Sequence, residues 1–334
     1  MHIKRQVGMK NFGKLTGLLG VLASALLLSG CEFDVLNPAG YVARHELILI
    51  ITCVIVMACI VVPVMIAIVT FAIRYRATNT QAEYLPDWGH SNKVETLMWG
   101  IPILVIIILG SLMSYFTFKL EPSKPLDKAV AGTQEPLQID AVALDWKWLF
   151  IYPQYGVASI NEIYAPENRQ VLLQLTSENS VNAFWVPRLG TVLYAMPQMN
   201  AKLHLIADRK GVFKGSSANY SGDGFSEMHF KWNSVAQADF DNWIAKARES
   251  KETLDRAGYR QLSYSPKMGD VAGKQKDAEI RYFSQVEKGL YYRIVNRCVD
   301  EGTTCNEDQM KLAAAKSLWG ELCSVFDPGV VQKK

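Results

Sequence analysis

Two long apolar runs separated by a short polar segment dominate the first third of the chain. Residues 47–73 contain no charged side chain, and neither do residues 96–118. A helix rises ~1.5 Å per residue, so each run is long enough to cross a hydrocarbon core of ~30 Å. A pair of buried helices in a large soluble protein would carry charges on some face over such a length. The pattern therefore predicts a transmembrane hairpin whose connecting loop spans residues 74–95.

The residues before the hairpin have the organisation of an export signal. Lys4, Arg5, Lys10 and Lys14 precede the apolar run Leu15–Leu28, as in secretory signal peptides. The sequence Leu-Ser-Gly then leads directly into Cys31, which predicts removal of residues 1–30 and lipid attachment at Cys31. An ordinary signal peptide followed by a coincidental cysteine is the alternative.

The expected lipid also sets the topology. Positive charges differ little between residues 74–95 and the flank after the second span, so charge alone orients the hairpin weakly. Lipid is attached on the outer face, which makes residues 31–46 periplasmic and loop 74–95 cytoplasmic. The linker 119–136 and everything after it then lie in the periplasm, and the chain is expected to be a lipoprotein of a bacterial inner membrane.

Beyond the linker the pattern changes from long apolar runs to short alternating strands. Turn residues separate these strands at the spacing of a β-sandwich. We expect seven to nine strands from 137 to 233, in a domain that spans residues 137–238. From Asp239 the period becomes helical, because Phe240, Trp243, Ile244 and Ala247 share one face. Residues 239–334 are therefore predicted to be a helical, aromatic-rich extension with later helices at 279–298 and 306–326.

Composition narrows the function classes. The net charge is +3 and 20% of residues are charged, which does not provide the basic surface that nucleic-acid binding needs.

If the last two helices form an antiparallel hairpin, Cys323 lies about five turns from Cys298, too far for a disulfide. We therefore predict a Cys298–Cys305 disulfide, as extracytoplasmic cysteines tend to oxidise, and a free, buried Cys323.

The outer domain has few groups that could hold a metal. Residues 137–240 contain no cysteine, and their only histidines are His204 and His229, which are far apart in the sequence. A protein copper centre requires a cluster of histidine and sulfur ligands, so these two histidines are interpreted as ordinary strand residues.

At the cytoplasmic end of the second span, Glu95 is either a flanking charge in water or a carboxylate at which protons enter.

Three segments carry a likeness to a known family: Lys93–Pro102, Asn182–Gly190 and Tyr220–Met228. Together they resemble subunit II of the haem-copper terminal oxidases. The last resembles the loop that holds a dinuclear copper centre in the cytochrome c oxidase branch. The resemblance covers residues 31–245 and the aromatic-rich segment near 282–292, and it implies a cupredoxin-like Greek-key sandwich.

The departures from that copper loop are as informative as the likeness. The family's ligand positions are occupied by residues that mostly cannot hold copper: Asn182, Ser217, Asn219, Ser221, Phe225 and Met228. Only Met228 keeps the residue of the copper-binding branch. Serine hydroxyls cannot replace bridging thiolates, so the likeness is to the branch without this centre, the cytochrome bo-type ubiquinol oxidases. A lysine, Lys147, also interrupts the tryptophans that the other branch uses for electron entry.

That branch implies a proton-translocating enzyme in which this chain has no cofactor. Haems, copper and ubiquinol would belong to the partner subunit I, with further small membrane subunits alongside. The family also places a carboxylate at the Glu95 position near the mouth of a proton pathway. Two alternatives remain open: a copper-containing cytochrome c oxidase subunit II, and a free-standing periplasmic binding lipoprotein.

Overall fold

The computed structural model describes residues 34–81, 89–127, 130, 132–263 and 280–313. The signal region, Cys31 and Cys323 lie outside these residues. Two long helices come first, α1 (Tyr41–Arg74) and α2 (Asn92–Lys119). Each extends past the uncharged run that predicted it, because a helix can continue beyond the membrane surface with polar side chains. Their most apolar stretches are not buried within the chain, so these surfaces require lipid or a membrane partner.

A β-sandwich follows, and it contains ten strands between residues 137 and 235 where seven to nine were expected. The first five are β1 (Leu137–Leu144), β2 (Lys147–Tyr152), β3 (Val157–Ile160), β4 (Glu162–Pro166) and β5 (Val171–Ser177). The next five are β6 (Asn182–Trp185), β7 (Leu193–Ala195), β8 (Ala201–Leu205), β9 (Gly211–Ser217) and β10 (His229–Val235).

The C-terminal extension is only partly helical. It comprises α3 (Gln237–Arg248), β11 (Thr253–Leu254), α4 (Arg256–Ser263), β12 (Tyr282–Phe283), β13 (Gln285–Val286) and α5 (Leu290–Val295). The face of α3 predicted from the sequence is buried as expected. The helix expected over 279–298 is wrong at its start, because Phe283 pairs with Ala158 and adds β12 to the edge of a sheet. Residues 306–313 are helical.

Two sheets form the sandwich, and one of them is buried on both faces. The strand orders are β12-β3-β2-β1-β5-β8 and β4-β10-β9-β6-β7. On β1, Ile139 and Ala141 point into the core between the sheets, while Val142 and Leu144 pack beneath α4 and α5. Because alternate strand residues face opposite sides, this double burial explains why β1 is apolar at nearly every position.

The start of the hairpin is clamped to the sandwich by backbone contacts. Ala39 N–H donates to Arg188 O at 2.7 Å, and Ala43 N–H donates to Leu189 O at 3.2 Å. At the other end of the hairpin, His204 N–H donates to Pro122 O at 3.1 Å. The segment Asn182–Gly190, which carries part of the family likeness, thus ends in a platform that receives α1.

Gly40 allows this close approach, so its replacement by alanine is expected to loosen the clamp. A Cβ atom at Gly40 would lie 2.5 Å from Ile206 O and 2.9 Å from Leu189 O, and backbone carbonyls cannot move aside as cheaply as the end of a flexible side chain. We expect a loss of about 1–3 kcal/mol, measured by denaturant unfolding of the detergent-solubilised chain. Gly100→Ala on α2, where the added Cβ meets nothing within 4 Å, is the control, and equal losses would contradict the prediction.

Candidate functional site

The positions that correspond to copper ligands lie at one end of the five-stranded sheet. Asn182 begins β6 and Ser217 ends β9, which pair so that Phe184 lies opposite Ser217. The loop between β9 and β10 carries the other four positions, and a short 3-10 turn at Phe225–Glu227 closes it. The sequence therefore folds these six residues into one region, as the family likeness implies.

Three of the six residues form side-chain hydrogen bonds that link β6, β9 and the loop. The Ser217 hydroxyl donates to Asn182 Oδ1 at 3.2 Å, and Asn182 Nδ2 donates to Ser180 O at 3.1 Å. Asn219 Nδ2 donates to Val181 O at 2.8 Å. Asn182 is 1% exposed and Ser217 is 6% exposed, so their polar groups need these partners. Amide and hydroxyl groups thus hold strand and loop together at these positions.

Two of the remaining positions, Met228 and Phe225, are occupied by side chains that pack against their neighbours. Met228 is buried in the main core, and its carbonyl accepts from Ser217 N–H at 3.1 Å. Phe225 packs edge-on against the Tyr220 ring, with centroids 5.7 Å apart. Met228 therefore has a packing role here that does not require a metal.

Trp146 covers the loop from the other side. Its indole N–H donates to Ser221 O at 3.3 Å, and a Cβ atom added at Gly224 would overlap the indole ring. Trp146 itself adopts a left-handed backbone conformation, with φ of 58°. The glycines of Tyr220–Met228 were the sequence signal for this close packing, but their partner lies about 75 residues earlier in the chain.

Lys147 and Trp148 point to opposite faces of the strand that carries them. Trp148 belongs to the main core, where it contacts Phe150, Phe184 and Phe230. Adjacent strand residues point to opposite faces, and Lys147 lines a pocket with Arg281 and Phe283. Burial lowers the pKa of Lys147, an effect that nearby Asp145 opposes.

The two histidines of the domain are in different sheets. His204 is on β8, where its Nδ1 faces Gln170 Nε2 at 2.5 Å, and His229 begins β10. Burial lowers the pKa of both imidazoles, and Lys202 and Lys214 respectively add to the effect. Within the described parts of the chain, no group of three or more His, Cys, Asp or Glu side chains could hold a metal ion.

Glu95 lies in the first turn of α2, and its side chain is 57% exposed. His90 Nδ1 is 3.5 Å from its carboxylate. A negative charge at this position is favoured by the helix dipole. This geometry suits both interpretations, a flanking charge and an accessible proton acceptor.

The cysteine pair expected from the sequence is joined in the structure. A disulfide links Cys298 and Cys305, whose Cα atoms are 4.8 Å apart. It closes the turn between α5 and the helical residues 306–313. The pairing does not depend on the long helix that the sequence suggested before Cys298, which the structure does not contain.

Comparison with known proteins covers the sandwich and its extension. Residues 156–235 match the family "Cytochrome C oxidase subunit II, periplasmic domain", and residues 248–302 match "COX Aromatic Rich Motif". The second match coincides with α4, α5 and the short strands between them. Of these segments, α4 and α5 cover the outer face of the six-stranded sheet, and β12 extends its edge.

Full-length relatives extend the match into the hairpin. "Cytochrome bo(3) ubiquinol oxidase subunit 2" of Pseudomonas aeruginosa is 43% identical over 84% of this chain and 81% of its own length. The Pseudomonas putida protein of the same name is 47% identical over 79% of this chain and 82% of its own. "Ubiquinol oxidase subunit 2" of Acetobacter aceti is 43% identical over 83% and 86%.

Identity at this level, over most of both chains, establishes common descent and a common fold. An aligned length of 281 out of 334 residues necessarily includes residues 54–281, which hold most of the hairpin, the whole sandwich and part of the aromatic-rich extension. This chain belongs to the cytochrome bo(3) ubiquinol oxidase subunit 2 family.

Proposed function

We propose that this chain is the non-metal-binding subunit II of a proton-translocating ubiquinol oxidase. Haems, copper and ubiquinol would be held by subunit I, a larger membrane partner, and further small membrane subunits would complete the complex. The exposed apolar surfaces of α1 and α2 would pack against that partner and the lipid. The sandwich would cap the complex on the periplasmic side of the inner membrane.

The observation that carries the proposal is the replacement of copper ligands by a hydrogen-bonded closure. Asn182 and Ser217 hydrogen-bond to each other, and the side-chain amides of Asn182 and Asn219 also donate to nearby backbone carbonyls. A dinuclear copper centre needs bridging thiolates and imidazoles, and neither is present at these positions. Electrons would therefore bypass this domain and pass from quinol directly to the partner's haem.

Two measurements on the gently solubilised complex test the proposal. We expect quinol to reduce haem in the optical spectrum, with all copper in the complex assigned to the partner by metal analysis of the separated subunits. Two coppers bound to this chain would instead support a cytochrome c oxidase subunit. Isolation of the chain as a haem-free, monodisperse protein would support a free-standing binding lipoprotein.

The lipid anchor is a separate part of the proposal. Cleavage before Cys31 would leave a lipid-modified cysteine as the first residue, and the hairpin would provide two further membrane attachments. Mass spectrometry of the mature chain is expected to give an acylated peptide that begins at Cys31. An unmodified peptide that contains Gly30 and Cys31 would show an ordinary leader or none.

The proposal includes a role for Glu95 in proton entry. Glu95→Ala is expected to slow quinol-driven oxygen reduction on the order of tenfold, about 1.4 kcal/mol in activation free energy, while the subunits still assemble. Its carboxylate is solvent-accessible at the end of a membrane helix, where a proton acceptor is useful. Oxygen consumption by the purified complex provides the measurement.

Two further variants make the Glu95 test specific. Glu95→Asp keeps a carboxylate and should retain most of the activity. Glu135→Ala removes an exposed glutamate after the second span, on the other side of the membrane, and should have no effect. Normal turnover in Glu95→Ala would leave Glu95 as a flanking charge.

A further inference from the structure

A cavity of about 190 Å³ lies where the helical hairpin joins the sandwich. Its walls include Tyr41, the first residue of α1, and Lys119, the last residue of α2. Both helices cross the membrane, so these two residues mark the same membrane surface. The cavity is therefore at the depth of the lipid headgroups, on the side that carries the sandwich.

The walls of this cavity are held in place by backbone contacts. Leu203 and His204 of β8 form one wall, and the chain segment after α2 forms another. The bond from His204 N–H to Pro122 O, at 3.1 Å, joins these two walls. The site is therefore preformed, and a ligand would not have to order it.

One cation and one anion at the cavity lack a charged partner. Lys119 has no ion pair within the described chain, and its ammonium lies 5.6 Å from the Tyr115 ring centroid. Asp127 likewise has no ion pair among the described residues. The other two charged side chains at the cavity, Glu121 and Lys124, pair with each other at 2.5 Å.

The apolar part of the cavity points to a ligand with a hydrocarbon tail. Phe118 lines the cavity and is 73% exposed, and Tyr115 on the preceding turn of α2 is 60% exposed. Aromatic side chains at this depth pack beside acyl chains and headgroups. A free phosphate or a soluble anion would not use this surface.

We propose that the cavity binds a zwitterionic phospholipid whose headgroup carries a phosphate and a primary ammonium. Lys119 would hold the phosphate and Asp127 the ammonium, while an acyl chain lies along Phe118. A purely anionic headgroup would leave Asp127 unpaired and repelled.

Lipid retention by the full-length chain tests this proposal. The chain is placed in nanodiscs that contain equal amounts of phosphatidylethanolamine, phosphatidylglycerol and phosphatidylcholine, and the lipids that remain bound are measured by native mass spectrometry. We expect phosphatidylethanolamine to be retained preferentially. Lys119→Met should lower its retention about fivefold, the effect of losing one partly solvated ion pair.

Further substitutions test the charges of Asp127 and Lys119 separately, and a substitution at a distant lysine serves as the control. Asp127→Asn should reduce the preference for phosphatidylethanolamine over phosphatidylglycerol, and the conservative Lys119→Arg should restore binding. Lys93→Met, in the first turn of α2 at the opposite membrane surface, should behave as the wild type. Equal retention in all variants, or a preference for phosphatidylglycerol in the wild type, would overturn the proposal.

Discussion

Glu178→Ala is expected to destabilise the folded chain by about 3 kcal/mol and to release the C-terminal extension. Glu178 follows β5, and its side chain is 7% exposed. Tyr259 Oη donates to its carboxylate at 2.5 Å, and Arg260 Nη1 donates at 3.2 Å. Breaking a buried ion pair by removing one partner typically costs ~3–5 kcal/mol. We expect a loss at the lower end of this range because the Arg260 side chain is partly exposed to solvent.

The effect should be concentrated on α4 and the residues after α5. Burial and the Glu178 carboxylate both raise the pKa of Tyr259, so this side chain stays a neutral donor and would lose its acceptor. Arg297 Nη1, 3.7 Å from Glu178, would also lose a counter-charge. Denaturant unfolding measures the loss, and limited proteolysis should show earlier cleavage in residues 256–313.

A solvated ion pair in the same extension provides the control. Glu252 pairs with Arg281 at 2.8 Å, and the two side chains are 46% and 39% exposed. Glu252→Ala should cost no more than about 1 kcal/mol. If the two variants were equally stable, the carboxylate of Glu178 would not hold the extension.

Asp140→Asn is expected to stabilise the chain by about 2–3 kcal/mol at pH 7.5 and by little at pH 4. Asp140 is on β1 beneath the extension and is 5% exposed. Burial raises its pKa to about 6, although Gln138 donates to its carboxylate at 2.9 Å. No ion pair with Asp140 is present among the described residues, so keeping its buried carboxylate charged costs folding free energy at neutral pH.

The sign of the pH dependence follows from the raised pKa. The folded state binds the Asp140 proton more tightly than the unfolded state, whose pKa is ~3.9. The contribution of Asp140 to the free energy of unfolding is therefore most favourable below about pH 4, and it is lost as the pH rises to about 6. Asparagine removes this loss, because it is neutral at every pH.

Unfolding of the wild type and the variant at a series of pH values checks this prediction. The difference in unfolding free energy should grow between pH 4 and pH 7 and then level off. Asp223→Asn, at a loop position outside the core, should show no such trend. A difference that is the same at all pH values would contradict the prediction.

Elements with strong periodicity were predictable, and elements defined by distant partners were not. The buried face of α3 follows from the spacing of Phe240, Trp243 and Ile244 alone. By contrast, Tyr282 and Phe283 form an edge strand because β3 offers them unpaired backbone groups. A short aromatic segment near a helix can adopt either structure, and the tertiary partner decides.

At the candidate site, too, the residue types could be read from the sequence but their contacts could not. The residue types at positions 182, 217 and 221 are enough to exclude thiolate and imidazole ligands there. That Asn182 and Ser217 hydrogen-bond each other depends on the pairing of β6 with β9, 35 positions apart. Local patterns carry no information about which distant polar groups will satisfy one another.

The sequence by itself determined the two long apolar helices and the β-sandwich, because hydrophobic length and strand alternation are local properties. Together with the family likeness it also indicated that residues other than thiolates and imidazoles occupy the copper-ligand positions. Only the tertiary structure decided that Gly40 fits α1 against the sandwich, that Glu178 secures the extension, and that a cavity opens between Tyr41 and Lys119. Each of these depends on backbone approach between segments far apart in the chain, which residue order alone does not specify.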